Sequence, residues 1–321
     1  MNLPPLAELD AAAELVHSVI PPTPQYCWPL LSSRVGAELW VKHENHTQTG
    51  AFKLRGGIVY LDDLKRAQPG IAGVISATTG NHGQSIAYAA TRLGLKAVIV
   101  VPRGNSPEKN RAMQSFGAHL VEHGHDFQAA YEHAMAMAER ENLHPVRSFH
   151  PLLVSGVASY GLELFRAVPD LDVVYVPIGL GSGICGVIAA REALGCKTEI
   201  VGVVAANAAT YALSFAAGKP VATNSADTFA GGLAVRVPDN EALDVIRHHA
   251  ARVVTVSEAE MRAAIRIIFS DTHNVAEGAG AAPLAAALQE RDRLKGKKVA
   301  VIQSGGNIDR PLFAEILTSD G

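Results

Sequence analysis

Short apolar runs, each followed by a stretch of helical pattern, constrain this chain more than any other feature. They fall at residues 73–77 (GVISA), 97–102 (AVIVVP), 172–177 (DVVYVP), 199–204 (EIVGVV), 252–256 (RVVTV) and 298–303 (KVAVIQ). Val and Ile stiffen the chain and pack well on a pleated surface. Runs that are apolar throughout, rather than alternating, suit strands covered on both faces. Helical patterns lie between them at 81–93, 126–141, 183–194 and 258–269, the last opened by a capping box from Ser257 to Glu260. Strands and helices in alternation predict an α/β chain with doubly wound parallel sheets. A length of 321 residues is generous for one core and suits two lobes. No Gly/Ser linker divides the chain, so the second lobe is expected as an insertion into the first.

Composition excludes several partners. Hydrophobic residues make up 48% and charged residues 18%, and the formal net charge is −3. With no long basic run, nucleic acid is not an expected partner. The N-terminal segment lacks a basic region followed by an apolar core, so no signal peptide is expected. No uncharged apolar stretch reaches the length of a membrane span. Cys27, Cys185 and Cys196 are scattered and odd in number. They fit a reducing cytoplasm and neither a disulfide frame nor a zinc site.

In such sheets ligands gather where strands end and helices begin. Four segments near such points carry chemistry. In Thr49–Arg55 (TGAFKLR), Lys53 sits among small and apolar residues. Desolvation would make its amine neutral, as Schiff-base chemistry requires; the plain alternative is a surface lysine whose stem packs on Phe52. In residues 76–84 (SATTGNHGQ), Thr78, Thr79, Gly80, Asn81 and His82 open a helix and offer hydroxyls and N–H groups to a carboxylate, or simply cap that helix. In residues 177–186 (PIGLGSGICG), glycines let the backbone close around a phosphate at a helix start. Gly181, Gly183 and Gly186 also satisfy G-x-G-x-x-G, which raises a dinucleotide-dependent oxidoreductase. The next strand, however, runs into Ala205-Ala206-Asn207 without the acid that an NAD site wants about 20 residues on. In residues 303–307 (QSGGN), Ser304 ends a strand and two glycines allow a flat ligand to approach.

Together and in this order, from about Thr23 to Asn307, these segments resemble the fold type II pyridoxal-phosphate (PLP) enzymes, with the tryptophan synthase β-like fold. The nearest likeness is to the threonine/serine dehydratase and serine racemase group. The resemblance implies that Lys53 carries the cofactor with Phe52 packed beside it. It implies that Thr78, Thr79, Gly80, Asn81 and His82 bind the substrate, with Asn81 also on the cofactor's phenolic oxygen. Gly179, Leu180, Gly181, Ser182 and Gly183 would hold the phosphate, Gly232 would flank the cofactor, and Ser304 would face the pyridine nitrogen. It further implies a large domain of residues 1–64 and 148–321, a small inserted domain of residues 65–147, and a homodimer.

The chain also departs from that pattern. Ala51 replaces a Ser, and Thr79 stands where serine racemases keep a second-face acid/base hydroxyl. Residues 205–210 (AANAAT) lack the two carboxylates that metal-activated relatives carry, so no metal is expected there. Ala230-Gly231-Gly232 replaces A-D-G, and His150 stands near the expected substrate side chain. These two changes hint at a β-substituent bulkier than a methyl, such as an aryl group. The implied reaction is loss of water and ammonia from an L-β-hydroxy amino acid (threonine, serine or a phenylserine), with Lys53 as general base. Racemisation of serine is the alternative within PLP chemistry.

Overall fold

The computed structural model describes residues 1–319. Its strands are β1 (Gln25–Cys27), β2 (Glu38–His43), β3 (Gly73–Ala77), β4 (Lys96–Val101), β5 (Ala118–Glu122), β6 (His144–Pro145), β7 (Val173–Pro177), β8 (Glu199–Ala205), β9 (Arg252–Val256) and β10 (Lys298–Gln303). Every apolar run of the sequence is a strand. Two sheets form, one in the order β1-β2-β10-β7-β8-β9 and one in the order β5-β4-β3-β6. The smaller sheet is parallel throughout. The larger is parallel except at its edge, where β1 runs antiparallel to β2, a departure from the expected all-parallel lobes. The connection between Cys27 and Glu38 explains it: it carries only the Pro29–Val35 helix, too short for a crossover of about a dozen residues or more.

Successive residues of the central strands feed opposite cores, as a pleat requires. On one face Val174, Val176, Ile200 and Ile302 pack with Leu9, Val157, Ile184 and Leu243 from four helices. On the other, Val173, Tyr175, Val201 and Val301 pack with Leu31, Met261 and Leu284. The smaller sheet is covered in the same way, by Ile58, Leu61 and Ile86 on one side and by Ala130 and Ala134 on the other.

The Lys53–Ala67 helix joins the two halves. It packs on the Pro151–Ala167 helix so closely that a Cβ on Gly156 would lie 2.4 Å from the Arg55 carbonyl. Across its other side Ser85, in the Asn81–Arg92 helix, donates to the Lys53 carbonyl oxygen at 2.7 Å. The first residue of this shared helix is Lys53.

Candidate active site

Backbone pairing brings the Lys53 and Ser304 segments together. Phe52 N–H donates to the Ser304 carbonyl at 3.0 Å, and Ala51 bridges Gly305. The Lys53 Nζ stands 5.0 Å from the centre of the Phe52 ring, which meets Tyr160 edge-on. Burial drives the Lys53 amine down to about 8, against the opposing pull of Glu277. A substantial share of that amine is therefore neutral near pH 7–8, the form that adds to a carbonyl.

The 179–183 loop closes on the same place. Tyr160 Oη donates to the Gly183 carbonyl at 3.1 Å, and Tyr211 Oη to the Leu180 carbonyl at 2.9 Å. Gly181 adopts φ +106°, and the Ser182–Leu194 helix that it opens has no side-chain cap. Its first N–H groups thus remain available to an anion. A Cβ on Gly179 would come within 2.3 Å of the Gly232 carbonyl, so Gly232 backs the loop from behind. Ser182 and Ser304 are both buried.

The 78–82 turn reaches the same place through Asn81 and His82. Thr78 is buried and its Oγ accepts from Gly80 N–H at 3.3 Å, whereas Thr79 is exposed. His82 is buried with its Nε2 lacking a protein partner, and burial, with Lys53 nearby, pushes it down to about 3. It is therefore a neutral imidazole. Asn81 Nδ2 donates to Glu277 Oε1 at 2.7 Å, and Asn81 Oδ1 accepts from Asn307 Nδ2 at 2.8 Å.

Of the residues singled out in the sequence, the structure brings together Phe52, Lys53, the 179–183 loop, Gly232, Ser304 and the 78–82 turn; Thr79 and Gly231 are exposed, and His150 stands apart. His150 instead caps the Pro151–Ala167 helix, accepting from Leu152 N–H, and lies edge-on to Tyr60 at 5.0 Å, two turns along the helix from Lys53. Its Nδ1 is spent on the cap. Gly231 has open space around it.

Two features escaped the sequence reading. Glu277, at the start of the Gly278–Gln289 helix, is a buried carboxyl whose proton affinity burial raises, against Lys109 and Asn81. The only signal was a lone acid in an otherwise apolar stretch. The second lies beneath Lys53. Arg55 donates to Glu44 at 2.7 Å and to Glu163 at 2.6 Å, and Lys42 donates to Glu163 at 2.5 Å. Burial raises the Glu163 carboxyl, but Arg55 and Lys42 outweigh it and hold it well below the usual carboxylate range.

A desolvated lysine at a helix start, an uncapped glycine-rich anion loop and a buried hydroxyl at a strand end define an enzyme built around a flat carbonyl cofactor with an anionic tail. The donor set fits PLP: the orphaned His82 nitrogen and the open 181–183 turn need a polar guest. Comparison with known proteins agrees. Residues 16–305 match the family described as pyridoxal-phosphate dependent enzyme, and the chain belongs to that family. It is 34% identical over 316 residues to an L-threonine ammonia-lyase of Thermotoga maritima, covering 97% of this chain and 78% of that one. An L-threonine ammonia-lyase of Geobacter sulfurreducens is 37% identical over 280 residues, covering 87% and 69%. Among solved structures, maize serine racemase superposes with a TM-score of 0.92 at 26% identity, covering 98% of this chain and 97% of that one. The cofactor is pyridoxal 5'-phosphate.

Proposed function

We propose that this chain removes water and ammonia from an L-β-hydroxy amino acid and releases a 2-oxo acid. The observation that carries this reading is the Lys53 amine, brought down to about 8 by burial at the point where the three anion-binding or hydroxyl-bearing segments meet. PLP, when bound, supplies an electron sink for the substrate Cα. Lys53 holds the cofactor, and its neutral amine moves the Cα proton as general base. Gly179, Leu180, Gly181, Ser182 and Gly183 hold the phosphate with N–H groups and the helix dipole. Thr78 and Gly80, at the 78–82 turn, would bind and orient the substrate carboxylate, neutral His82 would offer its free Nε2 lone pair to a donor, and Asn81 would donate to the cofactor's phenolic oxygen. Ser304 would meet the pyridine nitrogen with a neutral hydroxyl, which would not hold a proton there as a carboxylate would. That favours elimination over transamination.

The finer assignment is a bulky β-substituent. It rests on the Gly231 and His150 departures from the family pattern; Gly231 is exposed with nothing packed against it, and the contacts of His150 with Leu152 and Tyr60 give the assignment no help. Residues 65–147 are assigned to the small lobe and the rest to the large one. Free Cys27, Cys185 and Cys196 accord with a reducing cytoplasm, and a homodimer is the assembly expected from the resemblance. No helix among the described residues is long and apolar enough to cross a membrane.

The test is release of 2-oxo acid and ammonia from L-threonine, L-serine, β-phenylserine and 3-hydroxyaspartate with PLP supplied. Release from at least one supports the reading, and a preference for phenylserine supports the open pocket. Inversion of serine without ammonia release overturns it in favour of a racemase, with Thr79 as the second acid/base.

A further inference from the structure

The amide of Asn81 has only one hydrogen left to give. Its Oδ1 accepts from Asn307 Nδ2 at 2.8 Å, and one of its two N–H bonds goes to Glu277 Oε1 at 2.7 Å. Both N–H groups of Asn307 are committed, since the other donates to the Thr49 carbonyl at 2.8 Å. Asn81 cannot flip without setting its NH₂ against the Asn307 NH₂ and its oxygen against the Glu277 oxygen. The backbone makes room for the arrangement. Gly50 has φ +67°, and a Cβ there would meet Asn307 Oδ1 at 2.7 Å. A Cβ on Gly305 would meet Glu277 Oε1 at 2.6 Å. Gly306 N–H donates to the Gly50 carbonyl at 2.9 Å, and Glu277 N–H to the Gly305 carbonyl at 3.1 Å. The lock thus ties the lysine segment, the 78–82 turn, the helix start at Glu277 and the loop after β10.

We propose that Asn307 and Glu277 are positioning residues that fix the Asn81 amide with its remaining N–H aimed at the cofactor's phenolic oxygen. This rests on the cofactor reading above. The consequence is electrostatic. An N–H donated to an anionic oxygen favours the charged form and so lowers the pH at which the proton shared by that oxygen and the Lys53 nitrogen is lost. A loose Asn81 gives up that effect. The substrate reaction then starts from a cofactor whose proton is bound more tightly than it should be.

The experiment is a pH titration of the holoenzyme's visible absorption band, with PLP affinity measured in parallel. Asn307→Ala is expected to raise the midpoint by about one unit, a roughly tenfold change in the proton equilibrium. Asn81→Ala should give at least the same shift, and the double variant N81A/N307A should show no more than N81A alone. Glu277→Ala and Glu277→Gln both remove the carboxylate, but only Gln leaves an oxygen for Asn81. The midpoint of E277A should therefore lie above that of E277Q, which keeps the test available if N307A fails to fold. A band whose midpoint is the same in N307A as in the unaltered enzyme, and the same in E277A as in E277Q, overturns this inference alone. Additive shifts in N81A/N307A overturn it as well. An unaltered chain that binds no PLP and shows no band overturns the cofactor reading and this inference with it.

Discussion

Arg55 Nε donates to Glu44 Oε2 at 2.7 Å, and neither side chain is exposed to solvent. Arg55 lies two residues beyond Lys53, so whatever holds Arg55 also sets the direction of Lys53. Glu44 follows β2 directly, and Glu163 reaches the same guanidinium from the Pro151–Ala167 helix. Thr23 Oγ1 donates to Glu44 at 2.5 Å and Ser159 accepts from Arg55 at 2.9 Å, which leaves little of the group's hydrogen-bonding capacity unmet. Such a cluster is costly to desolvate and costly to break. Its position under the first turn of the Lys53–Ala67 helix gives that cost a purpose.

Arg55→Ala strands two buried carboxylates and is expected to cost about 3–5 kcal/mol of stability. Arg55→Lys keeps the charge but loses the planar fork that serves Glu44 and Glu163 together, so it should recover only part of the loss. Urea unfolding of the holoenzyme measures both. Equal stability for R55A and the unaltered enzyme would mean that the cluster does not anchor the helix.

The glycine-rich 179–183 loop makes its own demand. Gly181 sits at φ +106°, and a Cβ there would lie 2.5 Å from the Cβ of Ala242. Gly181→Ala meets both a strained backbone and a collision, which together are expected to cost about 1–3 kcal/mol. Because the strain falls on the turn that presents the N–H groups, PLP affinity should weaken about tenfold or more, as read by titrating apoenzyme with cofactor. An unaltered affinity would remove the 179–183 loop from the phosphate site.

How much of this could be read beforehand follows from burial. The central strands declared themselves because both their faces are apolar. Four strands did not. In β2 the apolar run is broken by Lys42 and Glu38, and Lys42 is buried only because Glu163 lies opposite it. β5 is an edge strand that alternates and stays half-exposed, while β1 and β6 span three and two residues. The glycine-rich turns and Lys53 were legible because each keeps its chemistry within a few residues. Glu277 was not, because its partners Asn81 and Gly305 are distant in sequence and only the fold brings them near. The cap made by His150 has a local origin: a residue ahead of Pro151 in extended conformation is well set to cap a helix, and its ring accepts from Leu152 N–H there.

Capture of the cofactor should follow the Lys53 amine. Its value falls from 10.5 to about 8 through burial, so the reactive neutral form grows as pH rises toward 8 and levels off above it. The rate at which apoenzyme develops its visible band should rise through that range, provided PLP is saturating. Lys53→Ala should show no band that survives borohydride and should lose at least about 10³-fold in turnover, the scale of a general base together with the covalent anchor. A capture rate that keeps rising steeply to pH 10 would mean that the amine is solvated rather than buried.

Trp28 and His43 form a second, independent pH probe at the edge of the large sheet. Trp28 Nε1 donates to His43 Nε2 at 3.0 Å, and His43 Nδ1 lies 3.3 Å from Asn45 Oδ1. The imidazole therefore accepts on one side and donates on the other, which only its neutral form can do. Burial, and His46 stacked at 5.0 Å, push it down from 6.5 to about 4. The unfolded chain binds this proton more readily than the folded one, so the stability held above pH 6.5 is lost as pH falls toward 4. The loss attributable to His43 at pH 4 is about 3 kcal/mol. His43→Gln keeps an oxygen acceptor for Trp28 and cannot be protonated, so its stability should fall less over that interval than that of the unaltered enzyme. In the folded enzyme, Trp28 fluorescence should change with a midpoint near 4, and Trp28→Phe, which leaves Trp40, should abolish that change. Parallel stability curves for H43Q and the unaltered enzyme would show that His43 keeps its usual proton affinity and that the Trp28 bond does not depend on its neutral form.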